Sequence, residues 1–144
     1  NRILPNAIRT PDMDINTHLQ ISQTLCGTPQ KLEKGFAQVK MMTTAAMATD
    51  ASGLVHGGFI FGMADYAAML AVNDPNVVLG AADVKFLKPV AAGETLVADA
   101  RVTIIEGKKH DVDVRVQRGE LTVFKGVFSC FVLERHVLHD RLKS

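Results

Sequence analysis

Residues 55–70, with the sequence VHGGFIFGMADYAAML, decide the fold of this chain. The run His56-Gly57-Gly58 predicts a turn that opens a helix, and the helix is expected to continue to about Val72. From Phe59 onward nearly every side chain is apolar or small, and a helix that is apolar all round is buried on all sides. About 16 residues span about 24 Å, a length that suits a domain core and falls short of a membrane span.

Asp65 is the exception in this apolar helix. Burying an unpaired carboxylate costs several kcal/mol, so Asp65 is expected to be paired, protonated, or facing a cavity in which its charge is used. Apolar surroundings raise the pKa of a carboxyl group and make it a better base near neutral pH. A structural Asp65, bonded to a backbone N–H or a buried arginine, is the alternative. We favour the functional role because perturbed carboxylates cluster at functional sites.

The 144 residues suffice for one domain with a real core, and the net charge of +1 gives no bulk attraction to nucleic acid. We expect a lead-in and short helix over 1–34, the core over 35–133 and a tail over 134–144. Cys26 and Cys130 are far apart and in no metal-ligand spacing, so no metal site is predicted. The sequence shows neither a signal peptide nor a membrane span, which favours a cytoplasmic protein.

Alternating apolar and polar residues predict five strands. They are expected at 36–44, 77–87, 95–106, 111–117 and 121–133, mostly joined by hairpins. Before them, residues 1–12 read as an irregular lead-in, a short helix should run from Asp14 or Asn16 to about Leu25, and Lys31 to Gly35 reads as a polar turn. Hairpins make antiparallel neighbours, and the long buried helix must cover one face of the sheet. The prediction is an α+β fold in which a five-stranded antiparallel sheet surrounds one central helix.

This order of elements resembles the hotdog-fold acyl-CoA thioesterases, and most closely their PaaI-like branch. The matching residues are VHGG at 55–58, Ala64-Asp65, VKFLKP at 84–89 and Gly93-Glu94. The resemblance implies acyl-CoA substrates, no metal and no separate cofactor. It also implies a homodimer, often paired again into a tetramer, with the active site at the dimer interface.

Thioester hydrolysis needs a site for the developing oxyanion and a base or nucleophile for the carbonyl carbon. A helix N-terminus offers free backbone N–H groups, and Gly57 and Gly58 would let a carbonyl approach them closely. One such donor is worth about 3–4 kcal/mol in the transition state. The two glycines could instead serve only a tight turn. Asp65 is the candidate base or nucleophile, and the sequence does not separate these two mechanisms.

The spacing of His56 and Asp65 indicates that the site is shared between two chains. Asp65 follows His56 by nine residues, so on one helix it points to the opposite side and lies about 13 Å further along. One helix therefore cannot easily bring both to one carbonyl. Two antiparallel helices from two subunits could, with the Gly57 turn from one chain and Asp65 from the other.

His56 could position the thioester or fix the turn by bonding backbone. Branch members often carry an amide six residues before this histidine, where this chain has Asp50, so Asp50 is a candidate substrate contact. Candidate pocket and CoA contacts are Gly58, Phe59, Tyr66, Lys85 and Lys88, although core packing or solvation is the simpler role for the side chains among them.

Two other functions remain open. A hotdog domain can bind acyl-CoA as a sensor without hydrolysing it, as in a repressor that joins the fold to a DNA-binding domain. A sensor has no need of a buried aspartate, and the segment before Gly35 is short for a helix-turn-helix. A hotdog hydratase or dehydratase is disfavoured because residues 50–56 do not reproduce the Asp/His arrangement of those relatives.

Overall fold

The computed structural model describes residues 13–142, which form an antiparallel sheet with one long helix packed on it. In chain order the elements are α1 (Gln23–Cys26), β1 (Thr28–Glu33), β2 (Phe36–Met42), a 3-10 turn (Ala45–Met47), α2 (Gly57–Val72), β3 (Val77–Phe86), β4 (Thr95–Glu106), β5 (Lys109–Arg118), β6 (Leu121–Val132) and α3 (His139–Leu142). The six strands lie in the order β1-β2-β4-β5-β6-β3, so β1 and β3 are the two edges. The predicted hotdog fold is confirmed.

The core lies between α2 and one face of the sheet. Alternate residues of β5 (Val112, Val114 and Val116) are fully buried, as the two-residue period of a strand requires. The helix contributes four alanines to the same core, at positions 64, 67, 68 and 71. Because alanine side chains are small, the helix axis can approach the strands closely, and α2 contacts all six of them.

Asn73 ends α2 and ties an earlier segment to it. Its backbone is left-handed (φ 56°, ψ 42°), and its N–H donates to the Met69 carbonyl in the manner of a helix C-cap. The Asn73 side chain accepts a hydrogen bond from the Asn16 N–H (2.8 Å) and donates one to the Asp14 carbonyl (2.9 Å). These two bonds hold the segment before α1 against the end of the central helix.

The sheet has six strands where the sequence predicts five, because β1 overlaps the segment Lys31 to Gly35, for which a polar turn is predicted. The strand carries Pro29 and the charged residues Lys31 and Glu33, and only Pro29 and Leu32 are buried. Such a composition is tolerated at a sheet edge, where one side of the strand needs no hydrogen-bonding partner. An irregular register between Pro29 and Lys31 further disguises the alternation.

The predicted N-terminal helix is also shorter than expected. Only Gln23–Cys26 is helical, with the Ser22 hydroxyl accepting from the Leu25 N–H. His18 has a left-handed backbone (φ 54°), which a right-handed helix through this position cannot include. The predicted tail over 134–144 contains the short helix α3, whereas the irregular lead-in predicted for 1–12 lies outside the described residues.

No helix within residues 13–142 is both long and apolar enough to cross a membrane.

Candidate active site

His56 shapes the start of α2. Its Nδ1 accepts a hydrogen bond from the Gly58 N–H at 2.8 Å, so the imidazole acts as the helix N-cap. A Cβ at position 58 would lie 2.8 Å from that same Nδ1, which explains why residue 58 is glycine. Capping is one of the two roles considered for His56. It also occupies the Gly58 N–H, so a predicted substrate contact at Gly58 has no free N–H available in this structure.

Gly57 keeps its N–H available beside a groove. As the first residue of α2 it has no intrahelical acceptor for this N–H. The groove has a volume of about 300 Å³ and is lined by Val55, Gly57, Ile60 and residues 86–90. A Cβ at position 57 would lie 3.0 Å from Cε1 of Phe86, so the Phe86 ring would have to shift slightly to admit a side chain.

Asp65 is half-buried on α2, and its Oδ1 is fully buried with no hydrogen-bonding partner among the described residues. Burial raises the pKa of this carboxyl from 3.8 to about 6. The cause is loss of hydration, which disfavours the charged form. The structural alternative needed a backbone N–H or an arginine at the carboxylate, and Oδ1 has neither.

The charge of this carboxylate acts on two thiols. Burial raises the pKa of the Cys26 thiol, and the Asp65 charge adds to the effect. Burial likewise raises the pKa of Cys130 to about 12, with further contributions from Asp65 and Asp111. Both cysteines are free. The charge of Asp65 therefore disfavours the thiolate form of a cysteine at the end of α1 and of one in strand β6.

The two aromatic candidates, Phe59 and Tyr66, have structural contacts. Phe59 packs edge-on against the His56 ring, with 6.2 Å between the ring centroids. Tyr66 is only 2% exposed, and burial raises its pKa to about 12. Tyr66 thus belongs to the core, which was the simpler interpretation of its sequence position.

The charged candidates separate into different places. Lys88 lines the Gly57 groove, whereas Lys85 is exposed on β3, directly opposite Lys125 of β6. Asp50 is exposed, and its Oδ1 accepts from both the N–H (3.0 Å) and the hydroxyl (2.6 Å) of Ser52. These bonds lower the pKa of Asp50 and fix it within its own loop.

The structure thus brings Gly57 and Lys88 together in one groove, and Asp65 is not among the residues that line it. The sequence did not identify Phe86 as a groove residue, because an apolar residue in an alternating strand looks like core. Its position just before the Leu87-Lys88-Pro89 run was the available signal. Across residues 13–142, no three His, Cys, Asp or Glu side chains form a metal-ligand cluster.

Comparison with known proteins agrees with this geometry. Residues 52–125 match the family model described as the thioesterase superfamily. Acyl-coenzyme A thioesterase PaaI of Escherichia coli is 36% identical over 101 residues, which are 66% of this chain and 71% of PaaI. Protein PH1136 of Pyrococcus horikoshii has a solved structure with a TM-score of 0.87 and 52% identity, covering 88% of this chain and 97% of that one.

Other relatives are much longer than the matched region. A protein of Aquifex aeolicus named methylthioribose-1-phosphate isomerase is 55% identical over 116 residues, which are 81% of this chain and 25% of that protein. Transcription factor FapR of Caldanaerobacter subterraneus is 34% identical over 88 residues, 61% of this chain and 44% of FapR. The chain thus spans a quarter to less than half of these two relatives. From the family match, the PaaI similarity and the fold, the chain belongs to the hotdog-fold thioesterase superfamily, in its PaaI-like branch.

Proposed function

We propose that this chain is an acyl-CoA thioesterase, which hydrolyses a thioester to a free acid and CoA. The observation that carries the proposal is the buried, unpartnered Oδ1 of Asp65 on an otherwise apolar helix. An ionised group in such a place lowers stability, so a use for its charge is the simplest reason for its presence. The family match supplies the class of substrate.

In the proposed reaction the Gly57 N–H stabilises the oxyanion that develops on the thioester carbonyl. Donors fixed before the reaction are effective because they need no reorganisation in the transition state. With a pKa of about 6, Asp65 is mostly ionised at neutral pH and can accept a proton. As a general base it takes a proton from water, the hydroxide oxygen bonds to the carbonyl carbon, and the C–S bond breaks to release the CoA thiolate. As a nucleophile Asp65 would itself bond to that carbon, the C–S bond would break to release the CoA thiolate, and water would then cleave the resulting anhydride to the free acid and the Asp65 carboxylate.

We also propose that each site combines Gly57 of one chain with Asp65 of a second. The two residues are eight positions apart on α2, about 12 Å along the axis. Asp65 does not line the groove at Gly57 of its own chain. A second copy with an antiparallel helix would bring its own Asp65 towards this groove. A homodimer, or a tetramer made of two such dimers, would therefore be the active form.

Strand β3 is the edge through which two copies could pair. None of the described strands lies on its free side, and Asp83 and Lys85 are both exposed on it. Residues two apart on a strand share a face. In an antiparallel β3 pair centred on Val84, Asp83 of each copy would lie opposite Lys85 of the other. Opposite charges in such positions stabilise a strand pair by about 0.2–1 kcal/mol each.

Cations near the groove would bind the CoA phosphates. Lys88 is suited to this because it lines the groove and its side chain is exposed. Lys85 is three residues earlier and also exposed, so it could contact a long substrate at the groove entrance or serve the strand pairing.

A second candidate function is acyl-CoA sensing without hydrolysis. It is favoured by the similarity to a relative named as a transcription factor, FapR. The two functions differ in the need for a base, and the carboxylate of Asp65 favours the enzyme.

Thiol release separates the two functions. Purified protein is incubated with acetyl-CoA, octanoyl-CoA and benzoyl-CoA, and free CoA is followed with a thiol-trapping dye. The thioesterase proposal expects catalytic release that Asp65→Asn reduces at least about 10²-fold. Binding without release by the wild-type protein would favour the sensor.

A further inference from the structure

Gly62 lies in the middle of α2 without the reasons that account for its neighbouring glycines. At Gly57 and Gly58 a Cβ would press on the ring of Phe86 or His56, which accounts for the small residue there. Gly62 has no left-handed φ, and a Cβ built on it has no atom within 4 Å among the described residues. A helix is less stable with glycine than with alanine at an interior position. No contact among the described residues therefore accounts for glycine at position 62, and a bound group or a second copy of the chain could account for it.

The open space above Gly62 adjoins the proposed catalytic carboxylate. Residues three apart on a helix are neighbours on its surface, so position 62 lies beside Asp65. Gly62 and Asp65 are both half-buried, and the Asp65 Oδ1 has no partner. Phe61 precedes Asp65 by four residues and is therefore also its neighbour on the helix surface, and its ring centroid lies 5.4 Å from that of Phe128. A group next to Asp65 would thus meet bare backbone at Gly62 and an apolar rim at Phe61.

We propose that Gly62 determines which acyl groups can reach Asp65. This inference rests on the proposed thioesterase function. The acyl part of the substrate would lie over the bare backbone at position 62, where apolar surroundings suit a hydrocarbon. A side chain at this position would occupy the volume that a long or aromatic acyl group needs, and would leave room for a short one.

The competing occupant of this space is the helix of a second copy. The two possibilities differ in their response to a large side chain at position 62. At a contact between two helices, such a side chain would break the assembly and lower the activity towards every substrate alike. A side chain that only narrows the acyl site would leave the assembly intact and select among substrates.

The test compares Gly62→Ala and Gly62→Leu with the wild-type protein, and uses Val72→Leu on the last turn of α2 as the control. We expect the two Gly62 variants to melt about 2–5 °C higher, because alanine and leucine favour the helix. Sedimentation should show unchanged assembly. For Gly62→Leu, kcat/KM should fall at least tenfold for octanoyl-CoA and benzoyl-CoA and less than threefold for acetyl-CoA. Val72→Leu should leave these ratios unchanged.

Equal losses for all three substrates, no loss for any, or dissociation of the assembly would each overturn the proposal. Calorimetric binding of the thioethers S-ethyl-CoA and S-octyl-CoA separates this result from the fate of the proposed function. The wild-type protein could fail to hydrolyse any substrate while Gly62→Leu still weakens the binding of S-octyl-CoA tenfold relative to that of S-ethyl-CoA. In that case the enzyme assignment fails and the size limit stands. If hydrolysis is robust and selectivity does not change, only the role of Gly62 is lost.

Discussion

Replacing Asp65 by asparagine removes the buried charge and keeps the shape of the side chain. The pKa of this carboxyl rises from 3.8 to about 6 in the folded protein, which is about two units. At 1.36 kcal/mol per unit, the ionised carboxylate costs about 3 kcal/mol of folding free energy. Asparagine avoids this cost, although its partly buried amide offsets some of the gain. We expect Asp65→Asn to melt several degrees above the wild-type protein at pH 8.

The gain depends on pH in a defined direction. Between pH 3.8 and about 6 the folded protein retains a proton on Asp65 that the unfolded chain has lost. Wild-type stability therefore falls as the pH rises through this range, whereas asparagine does not titrate. The difference in melting temperature should be close to zero at pH 4 and reach its full value above pH 7. Differential scanning calorimetry of both proteins across this range measures it.

Activity should change in the opposite sense to stability. We expect kcat to fall at least about 10²-fold in Asp65→Asn, the usual scale for losing a general base. In the wild-type protein, kcat/KM should rise as Asp65 ionises near pH 6 and then level off. Loss of thioester absorbance provides the assay at each pH. An asparagine variant that melts lower at pH 8 and hydrolyses acyl-CoA at nearly the wild-type rate would show that Asp65 is structural.

Three further predictions concern the helix start and the free strand edge. Gly57→Pro and Gly57→Ala place the same Cβ near Phe86, but only the proline variant lacks the N–H. Proline is tolerated at the first position of a helix, so both variants should fold. The kcat of Gly57→Pro should therefore be about 10²–10³-fold below that of Gly57→Ala, and equal rates would exclude the N–H of residue 57 as the oxyanion donor. His56→Ala should lose about 1 kcal/mol of unfolding free energy in urea titrations, while His56→Asn, which can still cap, should lose much less; equal losses would contradict capping. Asp83→Lys and Lys85→Asp should each weaken dimerisation about tenfold in sedimentation experiments. The double variant, which carries both substitutions, should dimerise like the wild-type protein. Unchanged dimers in the single variants would contradict the pairing centred on Val84.

The central helix could be predicted from the sequence because its information is local. Its start at Gly57 and its end at Val72 follow from the turn before it and from Asn73 after it. Alternation of apolar and polar residues locates the strands from Val77 onward. The bounds of β3, β4 and β6 agree with the prediction to within about one residue, whereas β5 begins at Lys109, before its predicted start. Strand β1 lacks this regularity because an edge strand has fewer buried positions, and it was therefore missed.

The candidate site was only partly predictable. Asp65 was conspicuous as a charge among apolar residues, and the sequence therefore identified it. The thiols of Cys26 and Cys130, whose pKa values its charge raises, are 39 and 65 residues away along the chain, and no local pattern links them to it. The same holds for Phe86 against Gly57, since a contact between a strand end and a helix start is decided by tertiary packing.

The sheet order also governs how the chain can fold. Strand β3 precedes β4 in the chain, but among the described strands it pairs with β6 alone, which is the last of the six in chain order. During synthesis, residues 77–86 must therefore wait for residues 121–132 to leave the ribosome before they find a hydrogen-bonding partner. Contacts so distant in sequence close large loops, which slows folding. A chain that stops before β6 would leave β3 unpaired and the β5 side of the sheet open, so a C-terminal truncation there should yield an aggregation-prone product.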